Sequence, residues 1–372
     1  TRAAFERAGA TLAIATGVDD TTLAVDTLAA TLAPSVALLA DAVRRPDLAP
    51  AEVARRRAAR VAELRAVPAE PRQIAAAVFE RRVLAPVADH PYAHATRGVP
   101  EQVARETAAT LRQFWRGHYG PATTTIVVAG DVDRATLEPL LAAAFATWRG
   151  GPALTPPPPP PPPAPPSLVV VDRAGAPTSV IVVGMLGPAS DDPDYAAREL
   201  ASAVLASNDG RLDQRLRDQL ALTAAVRGAF WRARGAGLWS ASAAVDRDRT
   251  AEALREVLAA IAAMRTTPVP AAELDRARAR LLRAVPRELE TTAGTATAFD
   301  RLASLALPLD FYATYRARLT SLTADDVRAA ADRSWRDPSI IVVGDWATLR
   351  APLEALGLPV HEADSRGREV AP

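Results

Sequence analysis

The chain has 372 residues, 49% of them hydrophobic, with 44 basic against 43 acidic side chains and a net charge of +1. That length exceeds one ordinary core and suits two domains, and with no lysine and no basic stripe interleaved with aromatics it shows no mark of a nucleic-acid partner. The absence of cysteine excludes disulfides, thiolate catalysis and cysteine-rich zinc sites, and no apolar run is long enough to span a membrane.

Alternating stretches at 9–15 and 21–28 predict two strands around the turn Gly17-Val18-Asp19-Asp20. Leu32, Val36, Leu39 and Val43 then recur at helical spacing, and Pro46 ends that helix. A second helix starts at Pro50, a residue suited to the first helical position, and runs to about residue 66. Helices at 72–83 and 101–119, an apolar strand beginning near Ile126 and a helix at 134–146 complete the first stretch. Thr155, the eight prolines from Pro156 to Pro163, and Pro165 and Pro166 follow. Such a run favours polyproline II and makes a semi-rigid spacer of roughly 35 Å. Beyond it come strands at 167–171 and 179–185, a helix at about 192–207, and strands carrying Phe230 and Trp239. Helices at 249–265, 270–285, 287–306, 309–318 and 323–335 precede a last apolar strand, Ile340-Ile341-Val342-Val343. Sheets with helices gathered on one side read as α+β. The domains are therefore 1–150 and 167–372, with 151–166 as linker.

The two stretches repeat one pattern. Thr125-Ile126-Val127-Val128-Ala129-Gly130-Asp131 matches Ile340-Ile341-Val342-Val343-Gly344-Asp345, and Glu52-Val53-Ala54-Arg55 matches Glu273-Leu274-Asp275-Arg276. The offset drifts only from 273 − 52 = 221 to 344 − 130 = 214. A repeat of this kind decides the architecture. Projected back by the same offset, the pair of strands that opens the second copy has no counterpart after Thr1, so the first copy is expected to begin upstream of it.

Gly9-Ala10-Thr11-Leu12, Leu38-Leu39-Ala40-Asp41 with Arg45-Pro46, Glu52-Val53-Ala54-Arg55, His90-Pro91-Tyr92, Phe114 with Tyr119-Gly120-Pro121, and Val127-Val128-Ala129-Gly130-Asp131-Val132 occur in order. The second copy adds Gly210-Arg211-Leu212 with Arg215-Leu216-Arg217. In this order they resemble the pitrilysin/insulinase family of zinc peptidases over nearly the whole chain. The resemblance implies two homologous halves, each a mainly antiparallel sheet with helices on one side, closing like a clamshell over an unfolded peptide. It also implies a His-x-x-Glu-His motif whose histidines hold zinc and whose glutamate is general base for a zinc-bound water. The four histidines, His90, His94, His118 and His361, do not form that motif, so its expected place is upstream of Thr1. Zinc is expected only if an intact motif stands there.

By the same resemblance Glu63 matches the third zinc ligand, while Arg56 stands where a supporting glutamate is usual. The competing reading makes Glu52–Arg56 and Arg60–Glu63 ion pairs along one helix face, since 52, 56 and 63 share a stripe. Ala284 stands at the matching place of the second copy, which excludes a metal there. Arg217 matches an arginine that grips bound peptide, and Ala224 replaces the tyrosine seven residues on. Arg217 reads equally as a solvated arginine on an arginine-rich helix. His90 before a proline reads as structural, His118 as a helix C-terminal cap, and Trp115, Trp148, Trp231 and Trp239 as core.

Three readings of function follow from the resemblance. The first is a non-catalytic subunit, a homo- or heterodimer partner of a His-x-x-Glu-His chain, that helps enclose and bind unfolded peptides; Arg56 and Ala224 favour it. The second is a zinc endopeptidase with its motif upstream, which the survival of Glu63 favours. The third is a structural scaffold of the same fold. The fragment from Thr1 is expected to be inactive by itself.

Overall fold

A computed structural model describes residues 2–66, 70–84, 91–93, 97–151 and 166–370. The proline run expected to act as a linker lies outside the described residues, as do His90 and His94. In chain order come α1 (Arg2–Arg7), the strands β1 (Thr11–Thr16) and β2 (Thr21–Asp26), then α2 (Leu32–Arg44), α3 (Pro50–Ala66) and α4 (Pro71–Leu84). The short α5 (Pro100–Val103), α6 (Ala108–His118) and α7 (Arg134–Phe145) follow. After 166 the order is β3 (Ser167–Asp172), β4 (Thr178–Gly187), α8 (Tyr195–Ala206), a single turn α9 (Arg211–Asp213), β5 (Val226–Arg232) and β6 (Gly237–Asp246). Then come α10 (Thr250–Thr266), α11 (Ala271–Glu288), α12 (Thr292–Ser304), α13 (Phe311–Ser321) and α14 (Ala324–Ser334). The chain closes with β7 (Ser339–Gly344), α15 (Trp346–Glu354) and β8 (Val360–Ala363).

These elements form two compact units that interleave along the sequence. Thr1–Arg65, Thr96–Pro156 and Arg287–Ser304 make the first, and Ala66–Ala95, Pro157–Pro286 and Leu305–Pro372 make the second. The units therefore differ from a division at the proline run by one exchange, α4 going to the second unit and α12 to the first. The exchange roughly follows the offset between the two stretches: 66 + 221 = 287, where the second exchanged segment begins, and 95 + 214 = 309, five residues past its end at Ser304.

The second unit is built on a six-stranded sheet of order β5-β6-β4-β7-β3-β8. The sheet is mixed, antiparallel in three of its five pairings: β5–β6, β6–β4 and β4–β7 run antiparallel, while β7–β3 and β3–β8 run parallel. Parallel neighbours need crossovers, which the helices between them supply. One face of the sheet carries Leu168, Val170, Ile181, Val183, Ile340 and Val342 into a core with α8, α10 and α14. At its centre Trp239 and Trp335 stack with ring centroids 4.7 Å apart, and Trp239 Nε1 donates to Ser202 Oγ at 2.9 Å.

Helices do not gather on one side of this sheet, as the α+β reading expected. Alternate residues of a strand face opposite ways, and the alternate set Val169, Val171, Val180, Val182, Ile341 and Val343 is buried too. Helix α4 covers this second face with Ile74, Ala75, Val78, Phe79, Val83 and Leu84, all buried. Gly184 makes room for it: a Cβ there would stand 2.6 Å from the Phe79 ring and 2.2 Å from the Trp239 carbonyl oxygen. Strands apolar at nearly every position are the sequence trace of a sheet covered on both faces.

The first unit holds the hairpin β1–β2, paired from Thr11 with Asp26 to Thr16 with Thr21. Helix α2 packs against α7, and Trp115 Nε1 of α6 donates to the Val43 carbonyl at 2.9 Å. Helix α12 adds Asp300, which accepts from Thr22 Oγ1 at 3.1 Å. The helix expected at 101–119 is broken into α5 and α6, because Thr107 takes an extended conformation and forms a capping box with Thr110. The strand expected near Ile126 is also absent: 124–129 joins no ladder among the described residues, and Ile126 and Val128 are exposed. Its counterpart β7 is central in its sheet, held by β4 and β3 on either side. The helix starts differ as well, at Asp345 for α15 and two residues past the matching Asp131, at Asp133, for α7. Of the four tryptophans read as core, Trp148 and Trp239 are buried, Trp115 is half-buried, and Trp231 is exposed on the edge strand β5.

Candidate functional site

Helix α3 carries the first cluster. It buries none of its residues, and a helix polar all round depends on side-chain pairs rather than packing. Glu52 accepts from Arg55 Nη2 at 2.6 Å and from Arg56 Nε at 2.8 Å. One turn from the other end, Glu63 Oε2 accepts from Arg60 Nη1 at 2.9 Å and Oε1 from Arg97 Nη2 at 3.1 Å. Arg60 also donates to the Arg97 carbonyl at 2.8 Å, closing the group. Both ion pairs read from the helical spacing are thus present, and each carboxylate has a second arginine, Arg55 at i, i+3 on the same helix for Glu52 and Arg97 from outside the helix for Glu63. Arg97 in particular is 34 residues away in sequence.

These guanidinium groups set the acidity of the cluster. The hydrogen bonds from Arg55 and then Arg56 hold Glu52 down to about 2, and those from Arg60 and then Arg97 hold Glu63 below the ordinary glutamate range. A depressed carboxylate keeps its pairing above the ordinary value and loses it as pH falls through the folded value. A carboxyl-carbon NMR titration of the Glu52 side chain is therefore expected to show a midpoint near 2; a midpoint near 4 would mean that the two arginines are not bound.

A zinc ion needs carboxylate lone pairs and a site without competing positive charge. Both oxygens of Glu63 face arginines, and Arg56 is paired with Glu52 on the same helix. Among the described residues no group of three or more His, Cys, Asp or Glu side chains is placed to hold a metal ion. The residues around Glu63 do not fit zinc. Of the described histidines, His118 Nδ1 lies 2.8 Å from the Phe114 carbonyl, in the C-terminal capping place expected of it. His361 lies on β8 near Glu369.

The second cluster surrounds Arg217, in the second unit. After α9 the backbone widens into a π-helical segment, Gln214–Gln219, that contains Arg217. Single π turns inside helices are frequent at functional sites. The segment is flanked by two non-glycine residues in the left-handed region, Asp209 at φ +67° and Ala221 at φ +49°, a conformation that L residues adopt only at a cost. A buried carboxylate holds it in place. Asp213 accepts from the backbone N–H of Asp209 at 3.2 Å and of Val226 at 3.3 Å, and pairs with the Arg217 guanidinium. Arg217 also forks onto Asp218, with Nε to Oδ1 at 2.8 Å and Nη2 to Oδ2 at 3.2 Å. Asp218 foremost, with Asp213 and Asp209, stabilises its charged form. Arg217 is thus a half-exposed cation pinned by carboxylates in one orientation. Sequence reasoning found it but not Asp213, whose i, i+4 spacing to Arg217 was the available signal. Ala224 sits exposed just before β5 and offers no polar side-chain group.

Comparison with known proteins agrees across the chain. A family profile described as insulinase (peptidase family M16) matches residues 2–98, and one described as peptidase M16 inactive domain matches residues 105–281. A peptidase M16 inactive domain from Pseudomonas fluorescens is similar with a TM-score of 0.83 and 23% identity, over 92% of this chain and 83% of its own. A protease from Helicobacter pylori reaches 0.81 at 20% identity, over 91% and 83%. A chain of complex III2 from Candida albicans, with Inz-5 bound, reaches 0.71 at 16% identity, over 92% and 83%. At these identities the likeness is one of fold. No curated protein matches the chain in sequence.

Proposed function

The chain belongs to the peptidase M16 (insulinase) family, and from that premise we propose that it is a non-catalytic subunit, one that helps enclose and bind unfolded peptide for a zinc-bearing partner chain. The observation that carries this reading is the occupation of Glu63. Its two oxygens are taken by Arg60 and Arg97, and Arg56 brings a further positive charge to the same helix face. A carboxylate so placed is a structural anion. The residue kept for peptide is Arg217: Asp213 fixes its guanidinium, and a peptide carbonyl or carboxylate would displace the exposed Asp218 from its planar fork. No helix among the described residues is long and apolar enough to cross a membrane.

The test measures zinc and cleavage together. The purified protein, incubated with an unstructured peptide and excess zinc, is expected to give no chelator-sensitive cleavage by mass spectrometry, and Glu63→Gln to leave its zinc content unchanged. One zinc per chain that is lost in Glu63→Gln would return the chain to the catalytic class. Arg217→Ala is expected to weaken cleavage by the reconstituted pair roughly tenfold, as for loss of a hydrogen bond to a charged group, while pair formation by sedimentation stays intact.

A further inference from the structure

The second unit contains a pocket of about 460 Å³ between the C-terminal half of α8, the loop 207–210 and one face of α11, within the size range of ligand sites. Its charges do not cancel. Arg211 is taken by Glu273 at 2.7 Å, Arg280 binds the Asn208 carbonyl and Asp209, and Asp275 is taken by Arg278 at 2.6 Å. These pairs use all three acidic side chains that line the pocket. Arg276 and Arg283 remain, both exposed at its wall, with no hydrogen bond or ion pair among the described residues. With Arg280 they stand at i, i+4 and i+7, one stripe of the helix.

We propose that this pocket binds an acidic segment of an extended peptide, with Arg276 and Arg283 each receiving a carboxylate. Seven residues of helix separate the two arginines by about 10.5 Å along the axis. One carboxylate or phosphate cannot meet both, whereas acidic side chains three residues apart in a polyproline II segment can, since at three residues per turn and about 3.1 Å per residue they share one face about 9 Å apart. The lining also includes the small apolar side chains Ala203, Val204, Ala277 and Ala279, which accept the apolar stem of a peptide, while the polar Ser207 and Gln214 donate to the carbonyls of Asn208 and Asp209. Arg211 and Arg280, already locked by their partners, hold the loop and helix that frame the pocket. The proposal names the substrate class for the peptide-binding subunit proposed above and rests on that reading.

The test uses two fluorescein-labelled unfolded peptides of twelve residues, one with Glu at every third position and the other with Gln in those places. Anisotropy at low salt is expected to show the acidic peptide binding at least tenfold more tightly, with the advantage shrinking at 0.5 M salt as screening grows. The double variant Arg276→Ala/Arg283→Ala is expected to abolish that advantage and leave the Gln peptide unchanged, while Arg318→Ala, an exposed arginine on α13, changes neither. Equal binding of the two peptides, or an acidic advantage that survives the double variant, overturns the pocket and leaves the peptide-binding reading standing. Failure of both peptides to bind the wild type overturns both.

Discussion

Replacing Phe79 by alanine is expected to lower the stability of the second unit by about 3–5 kcal/mol, the range for a buried phenylalanine cut back to a methyl group. Phe79 is 3% exposed on α4, and its ring lies over Gly184 in the middle of the sheet. Helix α4 packs on β4 and β7 there, so the cavity would open between the helix and the sheet. Urea or thermal unfolding followed by tryptophan fluorescence measures it, since Trp239 and Trp335 stack in the same unit. A unit of this size should lose about 2–4 °C of midpoint per kcal/mol. Phe114→Ala supplies the contrast: that ring is 54% exposed and its removal should cost well under the Phe79 value. Equal effects at the two positions would mean that α4 does not cover the sheet.

The second large effect concerns Asp213. Asp213→Ala is expected to cost about 2–3 kcal/mol, because it removes a charged acceptor from two backbone N–H groups in a site almost closed to water. The loss should be felt locally first. Without the carboxylate, the left-handed turn at Asp209 and the π-helical segment lose their common anchor, and Arg217 loses the partner that aims it. Hydrogen exchange is the informative measurement: amides in 209–222 should exchange faster in Asp213→Ala, while β4 and β7 keep their protection under native conditions. Asp213→Asn keeps one acceptor oxygen and should restore part of the protection. If the variant leaves 209–222 as protected as before, the π segment is held by Leu216 and Leu222 packing alone.

Much of the molecule was legible before any coordinates. The strand pair that opens the second stretch, the helices from α10 to α14, and the pairing of Glu52 with Arg56 and of Glu63 with Arg60 all rest on local spacing. So does the family resemblance, because motif order survives where identity is low. The errors share a cause. The unbroken helix at 101–119 failed where Thr107 preferred to cap, a choice between two local minima that an apolar period does not decide. The Ile126 strand failed because a strand exists only through its neighbours, and its apolar run finds none to pair with among the described residues. Trp231 failed because alternation says that one face is buried without saying where the sheet ends.

The candidate sites divide in the same way. Glu63 and Arg217 could be named from sequence because motif order placed them, but what they do depends on Arg97, 34 residues away, and on the turn that folds Asp209 and Asp213 around Arg217. The sequence by itself determined the α+β class, the family, and the absence of cysteine chemistry, since composition, period and motif order are properties of neighbours along the chain. Only the tertiary structure decided that α4 and α12 change places between the units, that helices cover both faces of the second unit's sheet, and that Glu63 faces arginines. Apolar and charged side chains announce that they need partners; which partners they meet is settled by chain reversals that bring distant segments together, and no periodicity records those.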